Sequence, residues 1–276
     1  MFKVRLISGI ILVALAVVLM VVGGPVLLVA LLILSLIGQM ELYRVVNVHK
    51  TLPAFFGYVA AVLFYAALYF LGSKPEFSLV VTGIVVALFL CIAAVYVFTF
   101  PKYRTDQILI LFFGFFYLAF LFSFLYRIRI RPSGELLVWL VFLTSWGADT
   151  CAYCVGKLFG KHKMAGVLSP KKTWEGAIGG IVGAMALTAI FCAVFAGDLQ
   201  IDYRGILLVT GFAALAAVIS MVGDLFASAI KRQYEIKDYG KLIPGHGGVL
   251  DRFDSLLFTA PVIFGAVTFL GVMGLS

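Results

Sequence analysis

Charge is scarce in this sequence: Asp, Glu, Lys and Arg make up 12% of its 276 residues, against 63% hydrophobic residues. Soluble domains carry about twice that share of charge, so the deficit excludes a water-soluble globular protein. No stretch is polar enough for a sizeable soluble domain, and there is neither an internal repeat nor a low-complexity linker. A convincing signal-peptide cleavage site is missing as well. Lys3 and Arg5 precede the first apolar run, but Gly23, Gly24 and Pro25 lead straight into a second, so the first run is expected to remain as a helix. Cysteine chemistry is equally thin: Cys91, Cys151, Cys154 and Cys192 all fall in apolar runs. The Cys151/Cys154 pair has no second pair of ligands, so packing is favoured over a metal or redox role.

What remains is apolar sequence in lengths that span a bilayer. The expected fold class is an all-α integral membrane protein, a polytopic helical bundle of about nine transmembrane helices. The spans fall near residues 6–22, 25–40, 55–71, 77–98, 107–126, 135–158, 175–197, 205–230 and 254–274. With the amino terminus in the cytoplasm, 16 of the 21 Lys and Arg residues fall on cytoplasmic loops, as the positive-inside rule favours. The discordant group is Arg127, Arg129 and Arg131, which this topology places outside. Residues 1–130 read as a scaffold of transmembrane helices. Residues 131–276 read as a catalytic region whose cytoplasmic loops, 157–175 and 231–254, carry the chemistry. The net charge of +8 suits anionic lipid head groups, and nothing further supports a nucleic-acid partner.

Within the scaffold, Glu41 and Arg44 are three residues apart and read as an ordinary interfacial ion pair. Gly176, Gly179, Gly180 and Gly183 in the seventh span read as a surface for close helix packing, within the chain or in a possible homodimer.

Two carboxylates lie inside apolar runs, Asp149 and Asp224, and an ionisable group there marks a functional site or a buried ion pair. With the eighth span ending at Ile230, Asp224 lies about 9 Å below the helix end, near lipid-phosphate depth. Ser228 and Lys231 follow it at spacings of four and seven on one stripe. Asp149 reads deeper, with Tyr153 on its face. The segment that follows is dense in both charge signs: Lys231, Arg232, Lys237, Asp238, Lys241, His246, Asp251, Arg252 and Asp254. Gly247 and Gly248 beside His246 let a backbone approach a phosphate closely. Asp251, Asp254 and Asp224 make a candidate cluster for a hard cation that also binds substrate phosphates. In the preceding loop, Ser169, Pro170, Lys171 and Lys172 lead into Thr173, Trp174 and Glu175. Basic side chains at a helix start suit a triphosphate, although positive-inside topology with an aromatic anchor at Trp174 fits as well.

The run SAIKRQYEIKDYGKLIPGHGGVLDRFD resembles the signature of the phosphatidate cytidylyltransferases. Ser228, Lys231, Arg232, Lys237, Asp238, Gly240, Pro244, His246, Gly247, Gly248, Asp251, Arg252 and Asp254 all fall on its pattern. SPKKTWEG resembles the family's second hallmark, associated with CTP, and Asp149 and Tyr153 resemble family positions in the sixth span. The resemblance covers roughly residues 145–256.

It implies that phosphatidic acid and CTP react to CDP-diacylglycerol and pyrophosphate at a multi-pass enzyme of the cell inner membrane, its site facing the cytoplasm. It also implies magnesium, with potassium as a second ion. On this reading Asp224 and Asp251 are expected to hold the divalent ion, with Asp254 nearby. Lys231, Arg232 and Ser228 hold phosphate oxygens, and Lys171 and Lys172 hold CTP, flanked by Ser169 and Thr173. His246 meets a phosphate or the leaving pyrophosphate. Lys237, Asp238, Gly247, Gly248, Arg252, Asp149 and Tyr153 complete the substrate-binding set. Rival readings are a transporter that relays ions through the intramembrane carboxylates, a CTP-dependent lipid kinase, and a structural scaffold.

Overall fold

The computed structural model describes residues 2–166 and 168–274, with side chains from Leu6 onward, so those of Lys3 and Arg5 lie outside the described set. In chain order the elements are α1 (Phe2–Val22), α2 (Gly24–Val45), α3 (Leu52–Leu71), α4 (Phe77–Phe98), α5 (Thr105–Arg129) and α6 (Gly134–Phe159). There follow β1 (Lys163–Ala165), β2 (Ser169–Thr173), α7 (Trp174–Val194), α8 (Tyr203–Gln233) and α9 (Leu250–Met273). Eight of these helices are long and apolar enough to cross a membrane; the ninth apolar stretch, Leu6–Val22, is shorter. The protein is therefore a polytopic helical membrane protein, and each of the nine expected runs forms a helix.

Two features depart from expectation. Strands β1 and β2 pair antiparallel as a small hairpin, Lys163 with Thr173 and Ala165 with Ser169, inside what was expected to be a loop of an all-α chain. Helix α8 also runs past Ile230 to Gln233, because Lys231, Arg232 and Gln233 are good helix formers. Asp224 thus lies about 14 Å from the helix end instead of about 9 Å. Asp149 lies about 15 Å before the end of α6, so the two carboxylates sit at similar distances along their helices.

The chain folds as two compact units, Met1–Tyr126 with Ile236–Arg252, and Arg127–Glu235 with Phe253–Ser276. In the first, α2, α3 and α5 are drawn together at Tyr43. A methyl group on Gly57 or Gly114 would press into its ring, and its hydroxyl donates to the Leu111 carbonyl at 2.7 Å. That bond satisfies a polar tip that lipid cannot. In the second unit, α6 and α7 cross through small residues. Gly176 lies against Ala152, Gly179 against Val155, Gly180 against Ala148 and Gly183 against Cys151. The glycine stripe of α7 is thus used within the chain, where close van der Waals approach takes the place of hydrophobic drive. The discordant arginines also find a place. Arg127 and Arg131 stack on the Phe264 ring of α9 at 4.7 and 4.5 Å, and Arg131 donates to the Thr268 hydroxyl at 2.8 Å.

Candidate active site

In the second unit, one wall of a cleft is a stripe of α6. Asp149, Ala152, Tyr153, Gly156 and Lys157 recur at helical spacing, beginning just after a wide π-turn at Leu143–Gly147. Such turns re-aim the residues that follow and are frequent at functional sites. The opposite wall is the hairpin, which delivers Lys171, Lys172 and Thr173, and Met221 of α8 closes the cleft, whose volume is about 330 Å³. Thr173 caps α7, its hydroxyl accepting from the Gly176 N–H at 3.2 Å. Gly156 and Gly176 bring the two helix backbones together beneath it. Glu175 does not line this cleft: its carboxylate accepts from the His162 backbone N–H and pairs with the His162 ring at 2.6 Å.

Lys172 Nζ is shut off from solvent and meets Asp224 Oδ2 at 2.5 Å, an approach with the distance of an ion pair but not the angles of a hydrogen bond. A carboxylate and an ammonium at this depth compensate each other's loss of hydration. Gly223 lets α9 come close, for a methyl group there would lie 2.9 Å from the Asp254 carbonyl oxygen. Asp254 is buried and within electrostatic reach of Asp224, Lys231 and Asp149. Its Oδ1 accepts from the Ser255 N–H at 2.8 Å, and the Ser255 hydroxyl lies 3.4 Å from Asp149 Oδ2. Sequence spacing gave no hint of Ser255 as the residue joining these two carboxylates. Ser228 and Lys231 are half-buried on α8, Arg232 is exposed, and Tyr153 is exposed with Lys157 Nζ 6.0 Å from its ring centre.

In the first unit, residues 236–252 fold around two buried carboxylates. Asp251 Oδ2 accepts from the Tyr239 N–H at 2.8 Å and the Gly248 N–H at 3.0 Å. Glu41 accepts from the Val249 N–H at 3.0 Å and the Leu250 N–H at 2.9 Å. Glu41 is 2% exposed, and a methyl group on Gly240 or Gly248 would overlap its carboxylate. The expected ion pair with Arg44 is therefore corrected: Arg44 is exposed, and the acid reaches backbone N–H groups some 208 positions away instead. At the start of α9 it also meets the positive end of the helix dipole. Gly247, at φ +91°, makes the turn that brings the segment back. The result is a cleft of about 630 Å³ lined by Lys237, Asp238, Lys241, His246, Gly247 and Arg252, so cations predominate around it.

Asp224, Asp254, Asp149, Lys171, Lys172, Thr173 and Lys231 thus gather in one unit, and Lys237, Asp238, His246, Gly247, Gly248, Asp251 and Arg252 in the other. Ser169 opens β2 half-buried and borders neither cleft. Among the described residues no three acidic, His or Cys side chains stand close enough to hold a metal ion by themselves. Magnesium does not require that: it takes one or two carboxylates and completes its shell with water and substrate phosphates. The donors here are hard carboxylate oxygens, with Asp254 oriented by Ser255 and Asp224 balanced by a cation, and they fit such an ion.

The chain is 42% identical over 149 residues to the phosphatidate cytidylyltransferase of Bacillus subtilis, covering 54% of each chain. It is 40% identical over 148 residues to that of Thermotoga maritima, again 54% of each, and 46% identical over 131 residues to that of Haemophilus influenzae, 46% of this chain and 44% of the other. The chain spans about half the length of the curated relatives it matches. The pattern described as the cytidylyltransferase family extends much further, from residue 3 to residue 270, and on that match the chain belongs to the cytidylyltransferase family.

Proposed function

We propose that the protein is a CTP:phosphatidate cytidylyltransferase, transferring CMP from CTP to phosphatidic acid to give CDP-diacylglycerol and pyrophosphate for phospholipid synthesis. The observation that carries this reading is the fold of residues 236–252. The signature segment closes around Glu41 and Asp251 and leaves Lys237, Lys241, His246 and Arg252 around a cleft, an arrangement suited to phosphate groups. Names borne by relatives at about 40% identity point the same way.

In this reaction a phosphate oxygen of phosphatidate attacks the α-phosphorus of CTP, a new P–O bond forms, and the bond to the bridging oxygen breaks, releasing pyrophosphate. The nucleophile is already an anion, so no general base is required, and the enzyme's work is alignment and charge neutralisation. Ser228, Lys231 and Arg232 are assigned to phosphate oxygens, and Lys171 and Lys172, with Ser169 and Thr173 beside them, to CTP. Magnesium, with potassium as a second ion, is assigned to the carboxylates Asp224, Asp251 and Asp254, one or two of them with substrate phosphates completing its shell, and would supply charge neutralisation at the transferring phosphoryl group. Asp149 and Tyr153 line the second unit's cleft, whose mostly apolar wall suits the lipid substrate.

The site is assigned to the cytoplasmic side of the inner membrane, because Lys and Arg concentrate on the loops that carry it. The test is a turnover assay on the full chain in lipid nanodiscs with CTP labelled at the α or the γ position. Transfer of the α label to lipid, with release of pyrophosphate, is expected. Transfer of the γ label would establish a lipid kinase instead, and no phosphatidate-dependent turnover would refute the proposal.

A further inference from the structure

The hairpin that carries Lys171 and Lys172 is too small to hold its own shape. Its strands are three and five residues long, with an irregularity between the Lys163–Thr173 and Ala165–Ser169 pairs, and a two-stranded hairpin is marginal by itself. One strand is secured by the chain: β2 runs straight into α7, where Thr173 caps the helix. The other is secured by Glu175, the second residue of α7. Its carboxylate accepts from the His162 N–H at 3.2 and 3.3 Å, meets the His162 ring Nδ1 at 2.6 Å and has the Lys161 N–H beside it. A carboxylate only accepts, so Nδ1 donates. The His162 carbonyl oxygen in turn accepts from the Trp174 N–H at 3.0 Å. Gly160, just upstream, leaves room for this junction: a methyl group there would stand 2.8 Å from the Thr173 hydroxyl oxygen. At the start of a 21-residue helix the acid also faces the positive end of the dipole, so it is held from both sides.

We propose that Glu175 is a positioning residue for the cytidylyltransferase reaction: by tying residues 161–162 to the first turn of α7 it holds both strands to one helix start, and so sets where Lys171 and Lys172 stand in the cleft. The inference rests on the proposed function for its consequence on CTP, and on geometry alone for the clamp. Lys172 directly precedes the cap residue Thr173, and its Nζ meets Asp224 with β2 in this register. Glu175 does not border the cleft, so it acts through the hairpin. Position and charge then make opposite predictions. A carboxylate near a triphosphate site repels the anion, so charge alone predicts tighter CTP binding once Glu175 is neutralised. Loss of position predicts weaker binding, because two ammoniums leave the place where the phosphates meet them.

The clamp is tested by hydrogen exchange on the intact chain in nanodiscs, and its consequence by turnover against CTP and phosphatidate. In E175Q the amides of 161–162 should exchange about tenfold faster, as the loss of a charge-assisted hydrogen bond allows, while those of α2 keep wild-type protection. KM for CTP should rise about tenfold, with KM for phosphatidate unchanged. H162A removes the ring contact from an exposed side chain and keeps the backbone N–H, so the fold tolerates it and KM for CTP should rise about threefold. Both changes act through one contact, so E175Q/H162A should be no worse than E175Q. A KM for CTP that stays or falls in E175Q overturns the proposal, as do wild-type exchange at 161–162 and effects that multiply in the double variant. So does a rise shared equally by both substrates, or a fall in kcat alone, since either marks a merely damaged fold. If the wild type itself transfers no α label, the proposed function fails, while exchange at 161–162 still decides the clamp.

Discussion

Replacing Glu41, which is itself assigned to no substrate, should open the signature segment. Its carboxylate accepts two buried backbone N–H groups at 3.0 and 2.9 Å, and it fills a space that Gly240 and Gly248 leave. In E41A both N–H groups lose their acceptor. A buried donor left unsatisfied costs about 1–3 kcal/mol, so the closed segment should lose about 2–6 kcal/mol. E41Q is the finer probe. Its amide oxygen keeps one bond while its NH2 faces the second N–H, donor to donor, for a loss of about 2 kcal/mol, or about 30-fold in the closed-to-open ratio.

Hydrogen exchange read by mass spectrometry on the intact chain in nanodiscs reports this directly. Amides of 248–250 should exchange about 30-fold faster in E41Q, while those of α3 and α4 keep wild-type protection. Turnover should fall in step, since the cleft cations ride on the same segment. Wild-type exchange at 248–250 in E41Q, within about threefold, would refute the claim that Glu41 holds this segment.

Three further outcomes are expected. K172M leaves the half-buried Asp224 without its cation, so the variant should unfold at lower temperature than K172M/D224N, measured by thermal denaturation in detergent. G176A puts a methyl group 2.8 Å from the Ala152 carbonyl and should cost about 1–3 kcal/mol, seen as a lower Tm, whereas G83A, with open space around it, should not. CTP and magnesium should bind with positive coupling that K172M abolishes, measured by calorimetric titration of each in the presence of the other.

The nine helices were legible because apolar runs of bilayer length have no competing interpretation. Their ends were less so. Counting apolar residues stops at Ile230, while α8 is carried on by Lys231, Arg232 and Gln233, whose propensity matters once they leave the bilayer. The hairpin was illegible because Ser169–Thr173 contains a proline and two lysines and has none of the alternation that marks a strand. Glu41 was misread for a different reason. Its spacing to Arg44 satisfies a local rule, but its true partners are backbone N–H groups near residue 250, and no side-chain pattern encodes those. Asp224 was legible as an ionisable group inside an apolar run, although its partner Lys172 was assigned to CTP alone.

That pairing also bears on the choice between a transferase and an ion-relaying transporter. A relay needs carboxylates that exchange their ion with a neighbour along a path through the membrane. Here Asp224 is balanced by Lys172 and Asp254 is held by Ser255, while Glu41 is bound to backbone N–H groups. Each is tied to local partners. A triphosphate arriving at Lys172 would displace Asp224 from its ammonium, and a carboxylate so released at this depth needs another cation. The anion and the metal therefore each remove the cost of the other's binding, which is what a nucleotidyltransferase requires and a relay does not.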